Sequence, residues 1–209
     1  ETCRYLRARG RETQKEMPLA KCERQGYIHY NKGSAVMYYL KEMIGEAQVN
    51  AGLKAFLEKF RYKDAPYPTS IDAVQAFAAQ TPDSLQYIIQ DLFWDITLFE
   101  NRAKEVSAKD LGNNKWEVTI QVESRKLKAD ELGKETEVPV SDWIDIGAFA
   151  KPEGDKKYGK TLYRRRVKIS QKDNTFTFVV DEKPFEAGID PFRLLMDREP
   201  KDNVREVGN

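Results

Sequence analysis

Tyr30 stands in the stretch Tyr27-Ile28-His29-Tyr30-Asn31-Lys32-Gly33-Ser34-Ala35-Val36-Met37, two residues ahead of a Lys-Gly pair where an amphipathic helix begins. A tyrosine hydroxyl is neutral at working pH and donates one hydrogen bond, and a ring held by packing delivers that bond with little reorganisation. A position just before a helix's first turn fixes the direction of the side chain, while Val36, Met37 and Leu40 anchor the rest of the helix in a core. On spacing alone, Tyr30 reads as an ordinary helix-entry tyrosine, one of ten in the chain. His29 is the only histidine. One imidazole without fixed carboxylates cannot make a three-ligand zinc site, and nothing in the sequence orients its ring, so it is assigned no role. Lys32 reads as a solvated charge near the helix start at least as readily as a partner for a carboxylate or a substrate terminus. Gly33 reads as a residue that permits close backbone approach in the first turn.

The rest of the sequence excludes several kinds of chemistry. The 35 basic and 34 acidic residues leave a formal charge of +1, so no long-range field favours nucleic acid or an anionic membrane. Arg164, Arg165 and Arg166 alternate between the two faces of one strand without a surrounding aromatic series, which reads as a solvated strand. Asp142, Asp145, Asp181 and Glu182 lack the compact alternating spacing of a calcium loop, and no metal is expected on this chain alone. Cys3 and Cys22 are too few for a thiolate zinc site or a disulfide scaffold. They read as two unlinked thiols in preference to a bridge. No cysteine or serine has a histidine at a spacing suited to nucleophilic catalysis.

The elements that must position these residues follow from periodicity. At 209 residues, a third of them charged and 40% apolar, the chain suits a soluble protein of two domains, and no apolar run approaches the ~20 residues of a spanning helix. Beginning at Glu1 without an initiator Met, it reads as a piece of a longer chain. Residues 1–26 suggest a short helix, then loop. Val36, Met37, Leu40, Met43 and Ile44 mark one helix stopped by Gly45, and Val49, Leu53, Phe56, Leu57 and Phe60 a second that ends before Pro66. Thr69 or Ser70 caps a third through Ala78, and Thr81-Pro82-Asp83 opens a fourth with Leu85, Ile88, Ile89, Leu92, Phe93 and Ile96 inward. Beyond Thr97 the period becomes 2: a hairpin turns at Gly112-Asn113-Asn114, and strands are expected around 116–122, 144–148, 163–169 and 176–180. Residues 1–97 are therefore expected as a helical unit and 98–209 as an antiparallel β-sandwich whose C-terminal tail is flexible.

The Tyr-x-Lys-Gly-Ser-Ala-Val-Met run, followed by Gly52-Leu53, Phe56-Leu57 and Phe60-Arg61-Tyr62, resembles the gluzincin zinc aminopeptidases, the aminopeptidase N and leukotriene hydrolase family. The resemblance covers about residues 27–97 and is looser beyond. It implies an α+β chain: the helical C-terminal part of a thermolysin-like catalytic domain, followed by an antiparallel β-sandwich. It implies that Tyr30 stabilises the tetrahedral oxyanion formed when a peptide bond is attacked, with Tyr27 the next tyrosine to consider. The family's His-Glu-x-x-His helix, further zinc-ligand Glu and glycine-rich amine motif have no counterpart in these residues. Zinc is therefore expected in the parent protein only, on ligands outside this chain, and the 209 residues alone are expected to be inactive. Glu135-Thr136-Glu137-Val138-Pro139, Asp142-Trp143-Ile144-Asp145-Ile146-Gly147 and Gly188-Ile189-Asp190-Pro191 most resemble versions fused to a multi-span permease, which implies a membrane-tethered parent. The competing expectation is a peptidase-like scaffold that binds peptides or a partner without turnover.

Overall fold

Apolar residues at helical spacing build the first half of the chain, as seen in a computed structural model that describes residues 2–154 and 158–208. Helix α1 (Thr2–Arg9) leads to a loop and a π-helical turn, Tyr27–Lys32, which runs directly into α2 (Gly33–Ile44). Gly45, at φ 92°, ends α2 and starts α3 (Glu46–Phe60), because glycine alone takes that backbone angle without strain. The cap of α4 (Ser70–Ala78) is Thr69: its backbone N–H donates to Asp72 at 2.9 Å, and its hydroxyl donates to the same carboxylate at 3.1 Å. These bonds, led by the backbone one, hold the Asp72 carboxyl below its usual range. Gly52 lets α3 lie on α4, since a Cβ there would stand 3.1 Å from both the Ala76 carbonyl oxygen and the Phe77 ring.

Two of the expected helices depart from a plain amphipathic pattern. The expected second helix is α3, but its apolar stripe is largely uncovered: only Val49 and Gly52 are buried, and Leu53 and Leu57 are exposed. Amphipathic spacing marks a face that can be covered; it does not supply the cover. The expected fourth helix is a 3₁₀ turn (Asp83–Leu85), α5 (Gln86–Ile89) and a second π turn (Gln90–Trp94), and Ile96 already belongs to the first strand. Ile88, Ile89, Leu92 and Phe93 are nonetheless inward.

The remainder is strand: β1 (Ile96–Gly112), β2 (Lys115–Ala129), β3 (Glu135–Val138), β4 (Asp142–Phe149), β5 (Thr161–Ile169), β6 (Asp173–Val180), β7 (Glu186–Ile189) and β8 (Val204–Glu206). Asn113 and Asn114 both take positive φ between β1 and β2, the backbone of a tight hairpin turn. One sheet joins β2 to β1, β3 and β6, with Ile120 opposite Phe176; the other runs β5-β4-β7-β8, with Ile144 opposite Val167. The β2–β6, β4–β5, β4–β7 and β7–β8 pairs are antiparallel. The alternation seen in sequence is physical: Val118, Ile120 and Val122 are all buried. Rings from the two sheets stack where Tyr163 meets Phe178, centroids 3.9 Å apart. The fold is α+β.

The chain forms two compact units, Glu1–Thr97 with Lys128–Thr136, and Leu98–Leu127 with Glu137–Asn209. The sequence boundary at 97 omits the excursion of residues 128–136 into the helical unit. There Lys128 binds Asp95 at 2.6 Å and also the Asp91 carboxylate, and the Glu131 carbonyl accepts the Glu16 N–H at 2.8 Å. The tail expected to be flexible is ordered strand: β8 pairs with β7, the Val207 N–H donates to the Phe185 carbonyl at 2.8 Å, and Asn203 is buried. Three residues among charges carry too weak a pattern to announce a strand that depends on its neighbour. That neighbour is exacting, since a Cβ on Gly188 would fall 1.9 Å from the Asn203 carbonyl oxygen. Gly188→Ala is expected to destabilise the sheet unit by about 1–3 kcal/mol, read as a lowered urea midpoint. Among the described residues, no helix is long and apolar enough to cross a membrane.

Candidate functional site

Loop 15–25 sets the entrance to α2. The Gln25 side chain donates to the Lys15 carbonyl at 2.8 Å and accepts the Met17 N–H at 3.2 Å, and its own carbonyl takes the Ile28 and His29 N–H groups. The Gly33 N–H donates to the Ile28 carbonyl five residues back, so this turn carries one residue more than an α turn. Its inner side buries Gln25, Ile28 and Lys32 and continues through Val36 and Leu40 of α2. Its outer side presents Tyr30, 77% exposed. Ser34 donates to the Tyr30 carbonyl at 2.5 Å, and among the described residues nothing takes the Tyr30 hydroxyl.

Beneath Tyr30 lies a buried polar cluster. Lys32 is 2% exposed, with Nζ 3.8 Å from Glu16 Oε1 and 5.3 Å from the Tyr5 ring centroid. The Tyr5 hydroxyl donates to Glu16 Oε1, and Arg9 Nε donates to Glu16 Oε2 at 2.5 Å while its Nη1 reaches Glu135 at 3.2 Å. Burial, only partly countered by Glu16, pushes the Lys32 ammonium down to about 8. Burial and the adjacent Glu16 carboxylate both push the Tyr5 phenol upward. Burial opposes charge on Arg9, but its hydrogen bond and charge attraction to Glu16, with smaller help from Tyr5 and Glu135, together hold the guanidinium above its ordinary value.

The sequence-selected residues therefore separate. Tyr30 is accessible, whereas the Tyr27 hydroxyl is buried, its ring stacks on Tyr5 with centroids 6.0 Å apart, and burial pushes it up to about 12. Lys32 is not the solvated charge its type suggested. It occupies a core position, four residues from Ile28 and four from Val36, and that spacing was the one sequence signal available. Gly33 does not serve a close approach, because a Cβ there would meet its nearest neighbour at an ordinary 3.6 Å. Exposed His29 sets Nε2 2.9 Å from the Cys22 carbonyl oxygen. Cys3 and Cys22 are free thiols. Glu16 was missed, since one glutamate among the four in a basic, aperiodic segment carries no signal of burial.

In the sheet unit, Arg164 and Arg166 share one face of β5 and clamp Asp145, at 2.7 and 2.8 Å, although Arg164, like Arg165, is exposed. Burial works against the Asp145 carboxylate, but the hydrogen bonds from Arg166 and Arg164 win and hold it below its usual range. This strand is therefore only partly solvated. Burial pushes Asp190 up to about 7, and its carboxylate accepts the Leu194 and Leu195 N–H groups at 2.9 and 3.2 Å. These acids hold backbone and neighbouring guanidinium groups. Among the described residues, no group of three or more His, Cys, Asp or Glu side chains is arranged to hold a metal ion. No protein-family model matches the chain, and neither does any curated protein.

Proposed function

We propose that this chain is the C-terminal part of a zinc-dependent aminopeptidase that hydrolyses N-terminal residues from peptides, and that Tyr30 supplies a hydrogen bond to the oxyanion. The observation that carries the reading is an exposed phenol on a turn whose opposite side is buried through Ile28 and Lys32. When water adds to an amide carbonyl, the oxygen gains negative charge, and a neutral donor already held in place stabilises it without reorganising. In this reading the zinc is held by residues outside this chain, and the 209 residues alone are inactive. The sandwich phrases that resemble permease-fused versions add a membrane tether to the proposed parent.

The test is the coding sequence upstream of Glu1, followed by an assay of the complete protein on aminoacyl-arylamide substrates with and without a chelator. The expected result is an intact His-Glu-x-x-His with a later Glu, and turnover that chelation abolishes. Substituted ligands and no turnover would replace the enzyme with the peptide- or partner-binding scaffold.

A further inference from the structure

We infer that Lys32, through Glu16, is the positioning residue that fixes the direction of Tyr30. The inference rests on reading Tyr30 as the oxyanion donor and goes beyond it to what aims the phenol. Lys32 sits in the stripe Ile28, Lys32, Val36, Leu40, where an apolar side chain would bury at lower cost than an ammonium. Its Nζ has no hydrogen-bond partner among the described residues. What it gains is attraction toward Glu16 at 3.8 Å. Glu16 is itself fixed by Tyr5 and Arg9 of α1 and by its backbone N–H on Glu131. The pair therefore ties the π turn to α1 from below.

That tie bears on direction because of the extra residue in the turn. If the turn relaxed to α-helical register, residues ahead of the insertion would rotate by about 100° relative to α2. Tyr30 would then point elsewhere, although α2 would stay anchored by Val36, Leu40 and Met43. The ionisable groups acting on Lys32 are Glu16, Arg9, Cys22 and Asp95. With the ammonium lowered to about 8, raising the pH through that value removes the charge from Lys32 and weakens the tie.

The experiment uses this chain with carbon-13-labelled tyrosine rings, as wild type, Lys32→Met and Glu16→Gln. Methionine fills the apolar stripe and leaves Glu16 its bonds to Tyr5 and Arg9, so Lys32→Met is expected to fold. The Tyr30 ring signal should shift or broaden in Lys32→Met while exposed Tyr62 and Tyr67 do not change. In wild type, the Tyr30 signal should move between pH 7 and 9, and that movement should vanish in Lys32→Met. Should Lys32→Met fail to fold, Glu16→Gln, which keeps the hydrogen-bond acceptor but not the charge, is expected to give the same Tyr30 displacement. An unaltered Tyr30 signal in the folded variant, flat from pH 7 to 9 in wild type, overturns the inference. In the complete enzyme, Lys32→Met should lower kcat by about 10- to 100-fold with KM unchanged, as misplacement of a reacting group does. A kcat unaffected by Tyr30→Phe would remove the functional reading, and the ring signals would still decide the positioning role.

Discussion

Tyr30→Phe in the complete, active protein is expected to lower kcat by ~10² to 10³ while leaving KM within about twofold, the usual cost of deleting one oxyanion donor. The change removes one oxygen and keeps the ring. Because the side chain is 77% exposed and its hydroxyl has no partner among the described residues, the substitution leaves no buried group unsatisfied and should not lower the melting temperature. A loss confined to kcat follows if the hydrogen bond strengthens only as charge develops on the carbonyl oxygen, since such a bond contributes little to substrate binding. Steady-state kinetics with matched melting curves decide the matter. An unchanged kcat would sink the role, and a rise in KM alone would recast Tyr30 as a substrate contact. Tyr27→Phe is the control, because its hydroxyl is buried and its ring stacks on Tyr5.

Glu16→Ala should destabilise the helical unit by about 3–5 kcal/mol, the cost of removing one partner from a buried ionic group. Glu16 is buried and receives the Tyr5 hydroxyl, Arg9 Nε at 2.5 Å and the charge of Lys32 at 3.8 Å. Without it, Lys32 remains in a core position with only the weaker pull of Asp95 as opposite charge, and among the described residues Arg9 keeps Glu135. Urea unfolding followed by the helical signal measures the effect, with the sheet unit monitored separately so that two transitions are not merged. A loss below about 1 kcal/mol would mean that water reaches and solvates the cluster. The alkaline limb gives an independent check. The folded Lys32 ammonium is lowered from 10.5 to about 8, so its burial cost is fully present below pH 8. As the pH rises from 8 toward 10.5, the folded form releases the proton while the unfolded chain still holds it, and this group's contribution to stability rises. In Glu16→Ala the same limb should begin at lower pH, because the carboxylate that supports the ammonium is gone.

The helices and strands were legible wherever apolar residues recur at a fixed period. Val36, Leu40 and Met43 give α2, Val118, Ile120 and Val122 give β2, and the asparagines after Gly112 give the turn between β1 and β2. Period reports which face can be buried, and each of these elements has a neighbour to bury it. On α3 it marked the helix but not its cover, since Leu53 and Leu57 are spaced like core residues and are exposed. It also missed β8, whose order comes from pairing with β7, and the return of residues 128–136 to the helices, which depends on Lys128 reaching Asp91 and Asp95.

Local spacing and turn chemistry act between near neighbours in the chain, and they carried the α+β class and the change from helix to strand near residue 97; Tyr30 was singled out by the resemblance of the run around it. That Tyr30 faces outward while the Tyr27 hydroxyl is covered, that Lys32 is buried, and that Glu16 lies beside it came from packing between distant segments. Burial of a charge is a property of what surrounds it. The groups acting on Lys32 come from α1, from the loop after it and from Asp95 just ahead of β1, segments that no local pattern in the sequence brings together.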